Sequence, residues 1–309
     1  MFNSMTKPEY GLSLKTVFFS WILVLITVAL VKYDMRLFSV IFFIDVWLFS
    51  QPHVISTFFK QATFERFSKM QLSYILVAIL LLLSAFFHFF GVAFLFSFYF
   101  YWQWFHYFRQ NYGIALSEKH SFRKVETFFL HLMPILALLA LASKGPLGFL
   151  NYYISFPTLP FSENFFRLFY LEALGVWGVF QIYSYKKGAF NFHSFINALS
   201  AYALYFWVYI YNEQFILGWL GMTFYHNAQY LIFNWRRKEF IRTYFEKTNL
   251  LIFYLVMTVA SVVVYGIIKS LGIFLTSPFA PVGLILIFTF NMLHYVCDTV
   301  IWKGPVKSS

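Results

Sequence analysis

Ten apolar runs dominate this chain, and each is long enough to cross the ~30 Å hydrocarbon core of a bilayer as a helix. They lie at about 14–31, 37–59, 71–90, 91–112, 127–143, 163–184, 193–211, 214–235, 249–269 and 279–302. Only 11% of the 309 residues are charged, against about 25% in soluble domains. The pattern therefore predicts an all-α, polytopic transmembrane helix bundle of about ten helices. It excludes a soluble enzyme and a disordered chain.

The basic residues indicate how these helices are oriented. If the N-terminus is cytoplasmic, 18 of the 23 Lys and Arg residues lie in the N-terminal segment or after even-numbered helices. Cytoplasmic segments of membrane proteins carry this excess. We therefore expect both termini in the cytoplasm, a multi-pass location in the inner (cytoplasmic) membrane, and one integral membrane domain over residues 1–309. The same distribution accounts for the net charge of +11 without a nucleic-acid partner.

Several other classes of site are excluded by the sequence. The single cysteine, Cys297, rules out an intrachain disulfide and a thiolate-cluster metal site. Residues 1–10 are polar and no small-residue cleavage pattern follows, so we expect no cleavable signal peptide. The Gly- and Pro-rich segment 143–160 is predicted to be an outer loop, with a partly re-entrant loop as the alternative. The sequence contains no P-loop, nucleophile elbow, H-E-x-x-H or dinucleotide motif.

Four histidines on four even-numbered helices are the most informative polar residues: His53, His106, His226 and His294. Three of them lie seven to ten residues before a basic residue that marks a cytoplasmic helix end. At 1.5 Å per residue, this places them roughly 10–15 Å inside that boundary. For His106, the next basic residues lie three and thirteen positions further on. Ionisable residues at membrane depth are costly, and each indicates a functional site by default.

These histidines are predicted to hold a metal ion. Neutral imidazole suits iron, zinc, copper and nickel, and a ligand histidine usually donates its second ring N–H to an acceptor. A polar residue follows each histidine about one turn later: Thr57 after His53, Gln110 after His106, Gln229 after His226 and Asp298 after His294. We expect Asp298 to orient His294 as part of the catalytic site. Gln110 and Gln229 are the further candidates for such a role.

The other histidines and one more carboxylate leave alternatives open. A single intramembrane histidine more often bonds a neighbouring helix than a metal, whereas four at one depth favour a shared site. His131 is a possible extra ligand, while His88, His120 and His193 are predicted to be structural or solvated. Asp45, two turns before His53, is a second carboxylate predicted to be buried.

Four short patches carry a resemblance to a known family. They are Pro52-His53, Phe105-His106 (with Phe87-His88 as the alternative), Phe224-Tyr225-His226 followed by 233–235, and Leu293-His294 through Asp298. They resemble the P-H-x-x-x-D, I-H-F-like, F-x-x-H-x-x-x-H and P-H-x-x-x-x-D segments of the Brp/Blh family of membrane β-carotene 15,15′-dioxygenases. Thr57 stands where the first segment has its aspartate, and Tyr230 replaces the second histidine of the late pair.

The resemblance implies a particular chemistry. Members of that family are polytopic membrane proteins thought to hold non-haem iron with histidines from several helices, and they cleave β-carotene to retinal. It implies Fe(II) as the cofactor, O₂ as the co-substrate, and an apolar substrate such as a carotenoid or a lipid that enters from the bilayer. The H-x(2–4)-H boxes of membrane desaturases are missing, which argues against that di-iron family.

The leading hypothesis is an integral membrane, metal-dependent oxidoreductase, dioxygenase-like, that acts on an apolar small molecule. One alternative is a transporter, or an ion or proton pathway, lined by the histidines with Asp45 or Asp298. Another is a bis-histidine haem-b protein, and a purely structural role for the histidines also stays open. The predicted partners are the lipid bilayer and the apolar substrate; the sequence does not identify a protein partner.

Overall fold

The computed structural model describes residues 7–59, 67–117, 121–149, 152–154, 159–236, 249–274 and 280–301. Helices cover every apolar run predicted from the sequence. The expectation of an all-α protein is therefore confirmed for the described residues, apart from one short hairpin. The number of membrane spans and the cytoplasmic location of the two ends stay predictions.

The helices are α1 (Lys7–Tyr33), α2 (Leu37–Ile44), α3 (Gln51–Thr57), α4 (Lys69–Ala115), α5 (Arg123–Ala142), α6 (Glu163–Lys186), α7 (Phe192–Tyr205), α8 (Phe215–Arg236), α9 (Leu250–Phe274) and α10 (Ala280–Ile301). A π-helical turn, Asp45–Ser50, joins α2 to α3, and a second, Phe206–Tyr211, extends α7. Strands β1 (Leu147–Phe149) and β2 (Tyr152–Ile154) pair antiparallel within the segment predicted to be an outer loop.

Six of the described helical stretches are long and apolar enough to cross a membrane. They are Leu14–Tyr33, Leu37–Thr57, Met70–Ala115, Arg123–Ala142, Glu163–Lys186 and Leu251–Ile268. Helices α7 and α8 carry more polar side chains, and these side chains are buried, for example Asn197, Ser200 and Gln229. A buried helix meets other helices instead of lipid, so it tolerates a polar surface that a lipid-facing helix does not.

The chain divides into two compact units. Unit 1 comprises Met1–Tyr33 and Tyr107–Gln229, and unit 2 comprises Asp34–His106 and Tyr230–Ser309. Within unit 1, α5 packs on α6 and α7, and α1 packs on α7. Within unit 2, α3 packs on α9 and α10, which also pack on each other. Helices α4 and α8 each contribute residues to both units, and the assignment of residues 1–309 to one domain stays a prediction.

Helix α4 is broken at Gly91, where the sequence predicts one span to end and the next to begin. Gly91 has φ 78° and ψ −179°, a backbone conformation that is essentially restricted to glycine. A Cβ at this position would meet no atom within 4 Å, so the requirement for glycine is conformational and not steric.

Replacing Gly91 with alanine should therefore destabilise the protein by about 1–3 kcal/mol, the cost of a side chain in this region of backbone space. Reversible unfolding of the detergent-solubilised chain measures the change. Gly175→Ala is the matched control, because Gly175 is exposed within α6 and alanine is the better helix former. Equal stability of both variants would contradict a strained backbone at Gly91.

The π-helical turn before α3 is explained by Pro52. A proline inside a helix has no N–H, so the carbonyl four residues earlier loses its helical partner. That carbonyl belongs to Leu48, and the Tyr254 hydroxyl of α9 donates to it at 2.6 Å. The hydrogen bond compensates for the missing N–H one residue before His53 and ties α3 to α9.

Removing this hydroxyl should lower stability, since the Leu48 carbonyl loses the donor that replaces the proline N–H. We expect Tyr254→Phe to cost about 1–3 kcal/mol. Urea or SDS unfolding in detergent tests this, with Tyr74→Phe as the control on an exposed tyrosine. A Tyr254→Phe protein as stable as the control would show that the hydrogen bond contributes little.

Candidate metal centre

Three of the predicted histidines converge in unit 2. His53 on α3, His106 on α4 and His294 on α10 are at most 2% exposed. The Nε2 atom of His294 lies 2.8 Å from Nε2 of His53 and 3.3 Å from Nε2 of His106. Three helices distant in sequence therefore direct the same ring nitrogen of each histidine to one point.

Asp298 completes the group. It is 1% exposed and lies one helical turn after His294, with its Oδ2 atom 3.7 Å from His294 Nε2. One potential ligand atom from each of the four residues, His53, His106, His294 and Asp298, lies within 4.8 Å of the others. The sequence predicts an orienting role for Asp298, and the structure places its carboxylate among the candidate ligands as well.

The spacing of the ring nitrogens suits a shared ion. Ligand atoms about 2.1 Å from a metal lie ~3.0 Å apart at adjacent octahedral positions and ~3.4 Å apart in a tetrahedron. The two Nε2 separations, 2.8 and 3.3 Å, are close to these values. Two axial nitrogens of one haem iron would lie ~4 Å apart, so the spacing gives no support to the haem alternative.

Thr57 fixes which nitrogen of His294 carries the proton. The Thr57 hydroxyl lies 2.6 Å from His294 Nδ1, 2.5 Å from the Tyr230 hydroxyl and 3.3 Å from Asp298 Oδ1. Because the Tyr230 hydroxyl donates its hydrogen to Asp298, Thr57 is the donor in its contacts with Tyr230 and Asp298, and its oxygen accepts the Nδ1–H of His294. The lone pair of His294 is then on Nε2, which faces the other two histidines. This is how a ligand histidine is normally oriented.

Tyr230 contacts both the Asp298 carboxylate and the His53 ring. The Tyr230 hydroxyl of α8 donates to Asp298 Oδ1 at 2.6 Å, and the Tyr230 ring lies 3.9 Å from the His53 ring. Thr57 and Tyr230 thus both contact this group. Sequence reasoning did not assign Tyr230 a role, because nothing in its local pattern shows which carboxylate its hydroxyl reaches.

Aromatic packing positions His106. Its ring stacks on Tyr295 at 4.1 Å. The Tyr295 hydroxyl lies 3.0 Å from the hydroxyl of Tyr99, which is two helical turns before His106 on α4. The Asn291 amide donates to Tyr99 at 2.7 Å and accepts from the Tyr265 hydroxyl at 2.8 Å. This hydrogen-bonded set joins α4, α9 and α10 and restricts rotation of the His106 ring.

His226, Gln110 and Gln229 are placed in unit 1. The His226 ring packs on Tyr107 at 4.1 Å, and the Gln110 amide donates to the His226 carbonyl at 2.9 Å. Gln229 donates to Tyr225 and to Asn197, each at 3.3 Å. His226 is not a member of the four-residue group described above. Its role as a ligand, and the roles of the two glutamines, stay predictions.

The structure also describes the other candidate residues, His131, His193, His88 and Asp45. His131 Nδ1 lies 2.6 Å from the Thr127 carbonyl, and His193 lies 2.8 Å from the Ile114 carbonyl. His88 is exposed, and Asp45 is buried within the π-helical turn before α3. His120 lies outside the described residues.

A further buried carboxylate was not identified from the sequence. Glu126 of α5 is fully buried and accepts hydrogen bonds from Trp177 at 3.1 Å and from the Gln181 amide. Glu126 lies beside Arg123 and Lys124 in the sequence, where it resembles an interfacial charge. The burial arises from helix packing within unit 1, which the sequence does not reveal.

Comparison with known proteins gives no relative. No protein-family model matches the chain, and no match was found among curated proteins or among solved structures. The geometry of the site is therefore the basis for a proposed function.

The geometry predicts that metal binding depends on unit 2. His294→Ala and Asp298→Asn should each reduce retained metal at least tenfold after purification and exposure to a weak chelator, measured by elemental analysis per chain. His131→Ala is the matched control, since its ring bonds a helix carbonyl. Full metal content in a monodisperse His294→Ala protein would rule out this site, and His226→Ala tests the remaining predicted ligand separately.

The hydrogen bond from His294 to Thr57 predicts that metal affinity also depends on a residue outside the group of candidate ligands. Thr57→Val is nearly isosteric but removes the acceptor for Nδ1–H, so metal affinity should fall about 10- to 100-fold. Thr57→Ser retains the hydroxyl and should bind nearly as well as the native protein. Competition with a metal-binding dye measures the affinities, and equal affinities for the valine and serine variants would contradict the orienting role.

Proposed function

We propose that the protein is an integral membrane, metal-dependent oxidoreductase, with non-haem iron at His53, His106, His294 and Asp298, and that it acts on an apolar substrate. The observation that carries the proposal is the convergence of three imidazole Nε2 atoms and one carboxylate at a buried point. Burying such groups costs free energy unless they are paired or coordinate a metal.

The donor set favours iron among the ions that imidazole binds. Sites that combine histidines with one carboxylate and keep positions open are typical of non-haem Fe(II) oxygenases. Bound there, iron would supply the redox chemistry with O₂ that side chains lack. The four protein ligands would leave further positions of a six-coordinate ion accessible.

The protein's own residues would hold this site rigid and dry. Thr57 directs the lone pair of His294 inward, and Tyr230 holds the Asp298 carboxylate. All of these side chains are buried, which excludes bulk water from the reacting groups. Orientation of this kind is the protein's contribution to catalysis by a bound metal.

An apolar substrate is supported by the surroundings of the histidines. His294 lies next to Leu293, and Leu293 and Met292 belong to the apolar core of unit 2. On α4, Phe105 precedes His106 and is 39% exposed, on a helix long and apolar enough to cross a membrane. An apolar molecule dissolved in lipid would meet this aromatic surface before it reached His106. A carotenoid or an unsaturated lipid has the required character.

A second candidate function is a proton pathway. Without an ion, Nε2 of His294 lies within hydrogen-bonding distance of Nε2 of His53 and of His106. Thr57 and Tyr230 continue this connection to Asp298. Imidazoles and hydroxyls both donate and accept, so such a chain could move protons. Gradient-dependent acidification of liposomes carrying metal-free protein, abolished by Asp298→Asn, would favour this function over the oxidoreductase.

The oxidoreductase proposal is tested by oxygen uptake. Protein loaded with Fe(II) and supplied with carotenoid or unsaturated lipid in micelles should consume O₂ and form an oxidised product. His294→Ala should lower the rate at least a hundredfold, while His131→Ala should retain it. The same protein loaded with Zn²⁺, which is not redox-active, should be inactive. Iron binding without O₂ uptake across both substrate classes would overturn the assigned chemistry while leaving the metal site intact.

A further inference from the structure

A groove in unit 1 lies between α6 and α7, far in sequence from the metal ligands. Its volume is about 670 Å³, and its walls are almost entirely apolar. The side chains that matter here are Trp177, Ile182 and Tyr185 on α6, with Phe190 before α7 and Phe195 on it. Gly178 also lines the groove, and a Cβ there would meet no atom within 4 Å, so the missing side chain leaves space.

The groove is on a surface that faces lipid if α6 spans the membrane. Helix α6 is one of the stretches long and apolar enough to do so, and Val176, Val179 and Ile182 are all exposed on it. The polar atoms at the groove floor are directed inward, since Trp177 and Gln181 both donate to the buried Glu126. The surface left to a ligand therefore suits a hydrocarbon chain.

Two exposed lysines follow the last α6 residue that lines the groove, Tyr185. Lys186 ends α6, and Lys187 comes next, with its ammonium 5.7 Å from the centroid of the Tyr183 ring. Residues 173–212 contain no Asp or Glu, so no acidic side chain in this stretch neutralises the two lysines. Juxtamembrane lysines attract anionic lipid headgroups.

The connection that carries the lysines has a defined backbone. Gly188 has φ 66°, its N–H bonds the Tyr185 carbonyl, and the Ala189 N–H bonds the Ser184 carbonyl, which is the Schellman ending of a helix. Asn191 then caps α7 by accepting from the Ser194 N–H at 2.9 Å. The positive end of the α7 dipole is thus near the two lysines and adds to their attraction for an anion.

We propose that this groove binds an anionic phospholipid, with one acyl chain between α6 and α7 and the phosphate at Lys186 and Lys187. The apolar walls and the two lysines together match an amphiphile with a negative headgroup. Neither feature alone would distinguish a charged lipid from a neutral one. All residues that line the groove belong to unit 1.

Native mass spectrometry of the full-length protein in detergent tests the proposal. Phosphatidylglycerol and phosphatidylcholine with identical acyl chains are titrated separately, and the phosphatidylglycerol should bind more tightly. Lys186→Gln/Lys187→Gln should weaken phosphatidylglycerol binding about thirtyfold, as expected for two lysines at a membrane surface, and leave phosphatidylcholine unchanged. Lys15→Gln/Lys32→Gln makes the same charge change on α1, at exposed positions, and should have no effect.

Gly178→Leu tests the apolar part, because its side chain would occupy the groove. It should weaken the binding of both lipids while the thermal unfolding temperature stays that of the native protein. If the α1 double variant bound phosphatidylglycerol as weakly as the Lys186/Lys187 variant, general charge and not these two lysines would govern binding. Weakening by Gly178→Leu but not by the Lys186/Lys187 variant would instead assign the groove to an uncharged apolar ligand. Either result would overturn the proposal.

Discussion

The free energy of burying ionisable side chains among apolar helices governs the rest of this structure. An isolated imidazole or carboxylate in such surroundings is costly, so it persists only where another group compensates for it. In unit 2, Tyr230 and Thr57 compensate for the burial of Asp298 by donating to its Oδ1 atom. Asp298 Oδ2 and the ring nitrogens of three histidines lie close together, an arrangement that a cation would stabilise further.

The same constraint determines the local backbone around the site. Pro52 removes a helical hydrogen bond immediately before His53, and a π-helical turn with a hydroxyl from α9 restores a partner to the exposed carbonyl. Departures of this kind from a regular helix are frequent at functional sites. In unit 1, buried polar groups are also satisfied in sets: Trp21 donates to Ser200, and Ser200 bonds Tyr225 at 2.5 Å.

Much of this arrangement follows from the sequence, because length and apolarity determine where helices form in lipid. The position of each histidine within a predicted helix also follows from the sequence, and three of the four converge. The direction in which a side chain points around the helix axis does not follow from it, since this direction changes by about 100° per residue and depends on which helices pack together. Hence neither the contact of Tyr230 with Asp298 nor the burial of Glu126 could be anticipated. The packing of the His226 ring on Tyr107 could not be anticipated for the same reason.

X-ray absorption spectroscopy at the iron edge, on Fe(II)-loaded full-length protein in detergent, reports on the metal ligands themselves. We expect stoichiometric iron with nitrogen and oxygen ligands at ~2.1 Å and the outer-shell scattering of about three imidazoles. His294→Ala should lower the imidazole contribution or abolish binding, and His131→Ala should leave the spectrum unchanged. Iron without imidazole scattering, or a spectrum unaffected by His294→Ala, would contradict the assignment of the metal centre.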